Sequence, residues 1–288
     1  MEKGRIIKII SHQYQILVDG ELLECVAMGK LRKDKAPVVG DLVLVERFGD
    51  QNGIQQILPR QNELVRPRIA NVDQAIIVMS ACDPQFSTAL VDRLIFLICY
   101  AKIKPIICVS KMDLVDANDP VHAALLDYRN SGYEVFETGL DRSDEALKQM
   151  LKGKISVLTG QSGAGKSSLI NRLDANFELK TQQISKALGR GKHTTRHCEL
   201  MAVSGGWVAD TPGFSSLDFT HVEIDKLAAA IPDFQEMLGN CRFQDCRHLK
   251  EPDCAIQNAV KEGRISQTRY AHYREICEWI LNQKVKYR

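Results

Sequence analysis

Apolar and polar residues alternate along the first 64 residues of the chain, as in residues 14–19 (YQILVD) and 41–46 (DLVLVE). Alternation of this kind is typical of strands that bury one face. Turn residues separate the runs at Asp19-Gly20, Gly40-Asp41 and Asn52-Gly53. Short strands at this spacing predict a small β-barrel over residues 1–64.

The pattern changes near residue 72 and stays changed to about residue 220. Runs of β-branched residues predict buried strands, and segments of helical period separate them. The predicted strands are Ala75–Met79, Pro105–Val109, Tyr133–Phe136 and Ile155–Leu158. Strands that alternate with helices indicate a mainly parallel, doubly wound α/β sheet, which we assign to residues 65–220.

From residue 221 onward the sequence has no strand-like run, and cysteine, histidine and helical patterns dominate. We therefore expect a third, mainly helical domain over residues 221–288. A chain of 288 residues is long enough for several cores, so a multidomain α/β protein is expected.

Composition narrows the class of protein. The chain is 44% hydrophobic and 26% charged, as in ordinary globular proteins. Its apolar runs, such as Leu94–Cys99, are shorter than the roughly 20 residues that cross a bilayer, and the amino terminus lacks a signal-peptide core. We expect a cytoplasmic protein with no membrane partner. The net charge of +2 does not by itself indicate nucleic-acid binding.

One segment has the pattern of a phosphate-binding loop. The sequence GQSGAGKSS fits G-x-x-x-x-G-K-[S/T] and follows the predicted strand Ile155–Leu158. Glycines let backbone N–H groups converge on phosphate oxygens, a lysine reaches the β- and γ-phosphates, and a serine binds Mg²⁺. The candidate residues are Gly160, Gln161, Ser162, Gly163, Ala164, Gly165, Lys166, Ser167 and Ser168, with Ser167 as the magnesium ligand. The alternative is a glycine-rich turn.

A second segment resembles the [N/T]-K-x-D element with which GTPases recognise guanine. It comprises Ser110, Lys111, Met112 and Asp113 and follows the predicted strand Pro105–Val109. The Asp113 carboxylate would accept hydrogen bonds from guanine N1 and the exocyclic amine, a donor pair that adenine lacks. Ser110 stands where asparagine is usual, and its hydroxyl can supply part of that hydrogen bonding. A solvated turn before a helix is the alternative.

Further downstream, Asp210-Thr211-Pro212-Gly213 resembles a D-x-P-G element. In that element the aspartate meets the Mg²⁺ shell and the glycine N–H meets the γ-phosphate, which would be the roles of Asp210 and Gly213.

Near the carboxyl terminus, three cysteines and one histidine lie within fourteen residues, at Cys241, Cys246, His248 and Cys254. Three thiolates and one imidazole complete a tetrahedral zinc shell and leave no open position. The spacing therefore predicts one structural zinc ion, with unliganded buried cysteines as the alternative.

The order of these elements is unusual, because the base element precedes the phosphate loop. In this order, and with GQSGAGKSS, DTPGF and the Cys/His module, the chain resembles the circularly permuted ribosome-assembly GTPases of the RsgA (YjeQ) type. The resemblance implies an amino-terminal OB-fold that binds RNA, a circularly permuted P-loop GTPase domain and a carboxy-terminal zinc domain. It also implies GTP/GDP and Mg²⁺ as ligands, the small (30S) ribosomal subunit and its rRNA as partners, and a role in late subunit maturation. We further expect a monomer.

The segment Lys180–Cys198 is basic, carries no acidic residue and looks like the family's first switch. In such a switch, Thr195 would bind Mg²⁺ when the γ-phosphate is present. Phe214 stands where many GTPases have a water-orienting glutamine, so we take His193 as the candidate for that role, with Lys166 and Thr195 as the other catalytic candidates. A surface histidine that contacts RNA or solvent is the alternative.

Two other classes of function stay open at this point. A P-loop ATPase or small-molecule kinase would prefer ATP to GTP. A nucleotide-independent RNA-binding protein would keep its activity after Lys166→Ala.

Overall fold

The computed structural model of the chain describes residues 1–28, 36–49, 51–64, 68–174, 199–210 and 218–286, with the backbone alone at position 210 and at residues 284–286. These residues form a closed barrel, a sheet flanked by helices and a carboxy-terminal helical region with a Cys/His cluster. The predicted fold class is confirmed.

The chain divides into two compact units. The first contains Met1–Ala75, Asp144–Thr159 and Lys166–Phe214. The second contains Ile76–Ser143, Gly160–Gly165 and Ser215–Arg288. The helices of the carboxy-terminal region thus share a unit with the segments that carry the phosphate loop and the base element.

The barrel is closed by five strands in the order β1-β2-β3-β5-β4. Burial alternates along them, so that one face of each strand fills the core with residues such as Ile6, Ile16 and Val43. A parallel pairing between β3 and β5 joins the remaining strand edges. The strands are β1 (Glu2–Ile10), β2 (Gln13–Val18), β3 (Glu21–Ala27), β4 (Leu42–Phe48) and β5 (Gln51–Ile57).

Short strands β6 (Glu63–Leu64) and β7 (Ile69–Ala70) form an antiparallel pair after the barrel. This segment is fixed by Arg60, whose guanidinium donates to both carboxylate oxygens of the fully buried Asp41 at 2.6 and 2.7 Å.

The sheet has six strands in the order β10-β9-β8-β11-β13-β12. The pairs β10/β9 and β11/β13 are parallel, and β12/β13 is antiparallel. All seven residues of β8 are buried, as expected for a strand covered on both faces. The strands are β8 (Gln74–Ser80), β9 (Lys104–Ser110), β10 (Glu134–Glu137), β11 (Ile155–Gly160), β12 (Leu200–Val203) and β13 (Gly206–Asp210).

Helices separate the strands as the periodicity predicts. Ser87 caps α1 by accepting a hydrogen bond from the Leu90 N–H, and Asp119 caps α2 by accepting one from the Val121 N–H. The helices are α1 (Thr88–Tyr100), α2 (Pro120–Asn130), α3 (Glu145–Leu151), α4 (Lys166–Leu173), α5 (Ile224–Ala230), α6 (Ala255–Lys261) and α7 (Gln267–Lys286), with 3₁₀ turns at Met112–Leu114 and Pro232–Met237. Among the described helices, none combines the length and apolarity that a bilayer crossing requires.

A buried ionic network fixes α7 within the second unit. The Arg269 side chain is 1% exposed, and its guanidinium donates to carboxylates of Asp92 in α1, Asp127 in α2 and Asp233 in the 3₁₀ turn. His272 lies 2.6 Å from the second oxygen of Asp92. The guanidinium also stacks on the rings of Tyr128 and Tyr133, at 4.7 and 5.0 Å from their centroids. The carboxy-terminal helix is therefore anchored by charge as well as by apolar packing.

The eight described cysteines are reduced. Cys25, Cys99 and Cys108 are buried in the apolar cores, and Cys82 is half-buried. Cys277 is buried in α7.

Candidate functional site

The segment Gly160–Gly165 links β11 to α4 and has the backbone of a phosphate-binding loop. Gly160, Gly163 and Gly165 have φ of +122°, +80° and +81°, which residues with a Cβ rarely adopt. A Cβ at Gly160 would lie 2.0 Å from the carbonyl oxygen of Val78, so no larger residue fits. The helix α4 begins at Lys166, directly after this loop, and the first N–H groups of a helix have no partner within it. The geometry fits an anionic phosphate chain.

The base element meets the phosphate loop through Ser110. This residue ends β9, is 6% exposed, and its hydroxyl donates to the carbonyl oxygen of Ala164 at 2.7 Å. The carbonyl oxygen of Met79 lies 3.2 Å from the same hydroxyl. The two predicted segments are thus in direct contact, although about fifty residues separate them in sequence, as expected when strands end at a common sheet edge.

Lys111 and Asp113 follow at the same sheet edge. The backbone of Lys111 has the left-handed conformation, with φ of 59°. The side-chain amino group of Lys111 donates hydrogen bonds to the carbonyl oxygens of Cys82 and Asp83. Met112 is buried, and its N–H donates to the carbonyl oxygen of Thr138 at 3.1 Å. These bonds fix the start of the turn that presents Asp113.

Gly139 is a candidate residue that is not among the site residues predicted from the sequence. A Cβ at this position would lie 2.6 Å from Oδ1 of Asp113 and 2.9 Å from Oδ1 of Asp141. The preceding Thr138 is fixed by its N–H bond to the carbonyl oxygen of Val109 at 2.8 Å. A glycine after a strand that pairs with β9 is the sequence signal that could have indicated this contact.

The remaining predicted nucleotide residues are less fully described. Asp210 ends β13, and its backbone pairs with Leu158 of β11, two residues before Gly160. The ladder therefore places the backbone of position 210 beside Leu158. Thr195, His193 and Gly213 lie outside the described residues, as do Thr211 and Phe214.

The structure brings the four predicted metal ligands together. Their ligand atoms all lie within 4.8 Å of one another. The Cys241 sulfur lies 3.9 Å from the Cys254 sulfur, and His248 Nδ1 lies 3.5 and 3.4 Å from these two sulfurs. A tetrahedral zinc ion with ordinary Zn–S and Zn–N bonds requires ligand separations of about 3.5 to 3.8 Å. The cluster has the size of a zinc shell.

The backbone around this cluster is held by polar contacts. The Glu251 carboxylate accepts hydrogen bonds from the N–H groups of Arg247, Leu249 and Lys250, at 3.1, 2.8 and 3.0 Å. Tyr270 of α7 donates to the carbonyl oxygen of His248 at 2.8 Å. Such contacts orient the ligands before a metal binds.

Without a bound cation, burial favours the neutral forms of the thiols and of the imidazole in this cluster. Burial raises the pKa of the Cys246 thiol to about 12 and also raises the pKa of Cys254, and it lowers the pKa of His248. Zinc requires deprotonated thiolates and neutral imidazole, so its binding must displace thiol protons.

The chain matches two known protein families. Residues 57–220 match the family described as RsgA GTPase, and residues 3–54 match the RsgA N-terminal domain. Relatives named small ribosomal subunit biogenesis GTPase RsgA include those of Bacillus anthracis, at 47% identity, and Bacillus subtilis strain 168, at 46%, each aligned over 100% of both chains.

Two solved structures are similar over nearly the whole length. YloQ, described as a circularly permuted GTPase, has a TM-score of 0.83 at 41% identity and covers 98% of this chain and 96% of its own. YjeQ from Thermotoga maritima has a TM-score of 0.83 at 31% identity and covers 97% of this chain and 98% of its own. With the base element ahead of the phosphate loop and in contact with it, the chain belongs to the RsgA GTPase family and is a GTP-hydrolysing enzyme that uses guanine nucleotide and Mg²⁺.

Proposed function

We propose that this GTPase binds the small (30S) ribosomal subunit and its rRNA and assists late maturation of the subunit, with hydrolysis of GTP stimulated by the subunit. The observation that carries the proposal is the full-length similarity to relatives named for small-subunit biogenesis, at 47% identity. A cytoplasmic location follows from this role, and we propose that the protein acts as a monomer. Its domains would be residues 1–64, 65–220 and 221–288.

In this proposal the nucleotide is held by two loops. Backbone N–H groups of Gly160–Gly165 and the first turn of α4 surround the phosphates, and Lys166 neutralises charge at the β- and γ-phosphates. Asp113 selects guanine through N1 and the exocyclic amine, while Ser110 fixes the distance between the loops through its 2.7 Å bond to Ala164. When bound, Mg²⁺ neutralises phosphate charge that develops during hydrolysis. Ser167, Asp210 and Thr195 would hold that ion.

The cluster of Cys241, Cys246, His248 and Cys254 would hold one zinc ion. Four ligands complete the shell, so the metal is structural and has no position for a substrate. The segment from Cys241 to Cys254 contains little apolar surface, and zinc would supply the folding energy that this segment lacks.

Gly139→Ala is expected to weaken guanine-nucleotide binding by about tenfold to a hundredfold. The added methyl group would lie 2.6 Å from Oδ1 of Asp113 and would displace the carboxylate from its position. Displacement of one group that contacts the base costs roughly 1.5 to 3 kcal/mol. Titration with a fluorescent GDP measures the change. Unchanged GDP affinity in the variant would contradict the role of Gly139.

The proposed ribosomal role is tested by measuring GTP hydrolysis with and without purified small subunits. We expect slow hydrolysis by the protein alone and strong stimulation by the subunit, because a catalytic group that is positioned by contact with the subunit acts only when the subunit is bound. Stimulation should weaken as salt rises, since basic residues of Lys180–Cys198 would contact rRNA phosphates.

His193→Ala tests the candidate water-orienting residue in the same assay. We expect most of the subunit-stimulated rate to be lost, on the order of a hundredfold, while GTP affinity and subunit binding are kept. His122→Ala is the control, because this half-buried histidine lies in α2 and its ring contacts the carbonyl oxygen of Asp116. Full stimulation of the His193 variant would assign the orienting role to another group.

A further inference from the structure

An ion pair connects the barrel to the edge strand of the sheet. Lys8 of β1 is only 8% exposed, although it is a lysine on a barrel strand. Its Nζ lies 2.7 Å from Oε2 of Glu199, the residue before β12, and the Glu199 side chain is 25% exposed. The backbones of the two residues also form an isolated antiparallel bridge. The barrel thus contacts the end of β12 through a backbone bridge and through an ion pair.

The barrel strand is irregular at this point. In the ladder between β1 and β2, Ile6 pairs with Ile16 and Lys8 pairs with Gln15, so the register shifts by one residue between them. A bulge of this kind redirects a side chain and bends the strand. It directs Lys8 away from the barrel core and toward Glu199.

Glu199 lies at the end of the antiparallel ladder between β12 and β13. In the antiparallel ladder of β12 and β13, Leu200 pairs with Ala209, so the next position along this register sets Glu199 opposite position 210. The ion pair with Lys8 therefore holds Glu199 at the end of this ladder, opposite the backbone of position 210.

We propose that the Lys8–Glu199 ion pair is a positioning device, by which the barrel holds the end of the β12–β13 ladder, and with it position 210, in the arrangement that GTP hydrolysis requires. The inference rests on the proposed role of Asp210 at the Mg²⁺ ion. Neither Lys8 nor Glu199 touches the nucleotide in this proposal. The ion pair acts on the strand that carries Asp210. The turnover rate therefore depends on the ion pair, whereas the affinity for nucleotide is independent of it.

Lys8→Met and Glu199→Gln test the proposal in the full-length protein. Methionine keeps most of the apolar stem of lysine, and glutamine keeps the shape of glutamate, so each variant removes one charge at little cost in packing. We expect kcat for GTP hydrolysis to fall about tenfold in each variant. The affinity for GDP without Mg²⁺ and the KM for GTP should stay within about twofold, because both nucleotide-binding loops are unchanged.

The exchange variant Lys8→Glu with Glu199→Lys restores opposite charges and should recover much of the lost kcat. Arg47→Met is the control, since it removes barrel ion pairs to Glu2 and Glu21 that are exposed to solvent. An unchanged kcat in both single variants would overturn the proposal, as would a parallel loss of GDP affinity or a failure of the exchange to recover activity. If instead the unsubstituted protein hydrolyses GTP but does not respond to small subunits, the proposed ribosomal role fails while the ion-pair proposal stands.

Discussion

Asp113→Asn is expected to convert the nucleotide preference from GTP toward xanthosine triphosphate. Guanine presents an amine where xanthine presents an oxygen, and an asparagine amide can donate to that oxygen whereas a carboxylate cannot. A buried polar group left without a partner rejects the wrong base by about 10⁴ to 10⁵. We therefore expect GTP affinity to fall by at least about 1,000-fold and xanthosine triphosphate to become the better substrate.

The affinities for GTP and xanthosine triphosphate are measured by competition against a fluorescent nucleotide. The rate of hydrolysis of each triphosphate is then measured under single-turnover conditions. Asp116→Asn provides the control, because this nearby aspartate is exposed and its backbone carbonyl, not its carboxylate, contacts His122. An Asp113 variant with the original preference would show that Asp113 does not contact the base.

Cys246→Ser is expected to lower zinc affinity by a hundredfold or more, on the order of the losses known for weakened zinc sites. Elemental analysis should give about one zinc per native chain and much less in the variant, together with a lower melting temperature. Zinc affinity should also rise with pH, because burial raises the pKa of the Cys246 thiol to about 12 and zinc must displace that proton.

Cys277→Ala separates loss of zinc from loss of packing. This cysteine is buried in α7, and it is outside the four-ligand cluster. The variant should therefore lose stability and keep its zinc. Native protein without zinc, or equal zinc content in the Cys246 and Cys277 variants, would refute the metal assignment.

Much of the fold follows from local sequence signals. Burial patterns along the barrel and sheet strands were predictable because alternation and apolar runs are properties of neighbouring residues. Ile155–Leu158, for example, was expected as a strand and lies within β11. The phosphate loop and the Cys/His spacing were equally predictable, since glycine conformation and metal coordination impose fixed local patterns.

Other features depend on contacts between distant segments, which a single sequence does not record. The sequence around Arg269 is that of an ordinary helix, yet the Arg269 side chain is buried and bonds to carboxylates more than 35 residues away in the chain. Gly139 is a candidate site residue because Asp113 lies close to it in the fold. Lys8 forms its ion pair because a bulge in β1 turns its side chain toward Glu199. The role of Asp113 itself, in contrast, was suggested by its motif.

The buried position of Arg269 bears on how the enzyme can be divided into fragments. A polypeptide ending at residue 220 would retain Asp92 but lose both Arg269 and His272, its two basic partners. It would also uncover Phe96 of α1, which packs edge-on against Tyr273 of α7. Loss of one partner from a buried ion pair costs about 3 to 5 kcal/mol, a large part of the roughly 5 to 15 kcal/mol that stabilises a whole domain. The shortest soluble fragment containing the base element must therefore extend through α7, and a GTPase excised at residue 220 would aggregate.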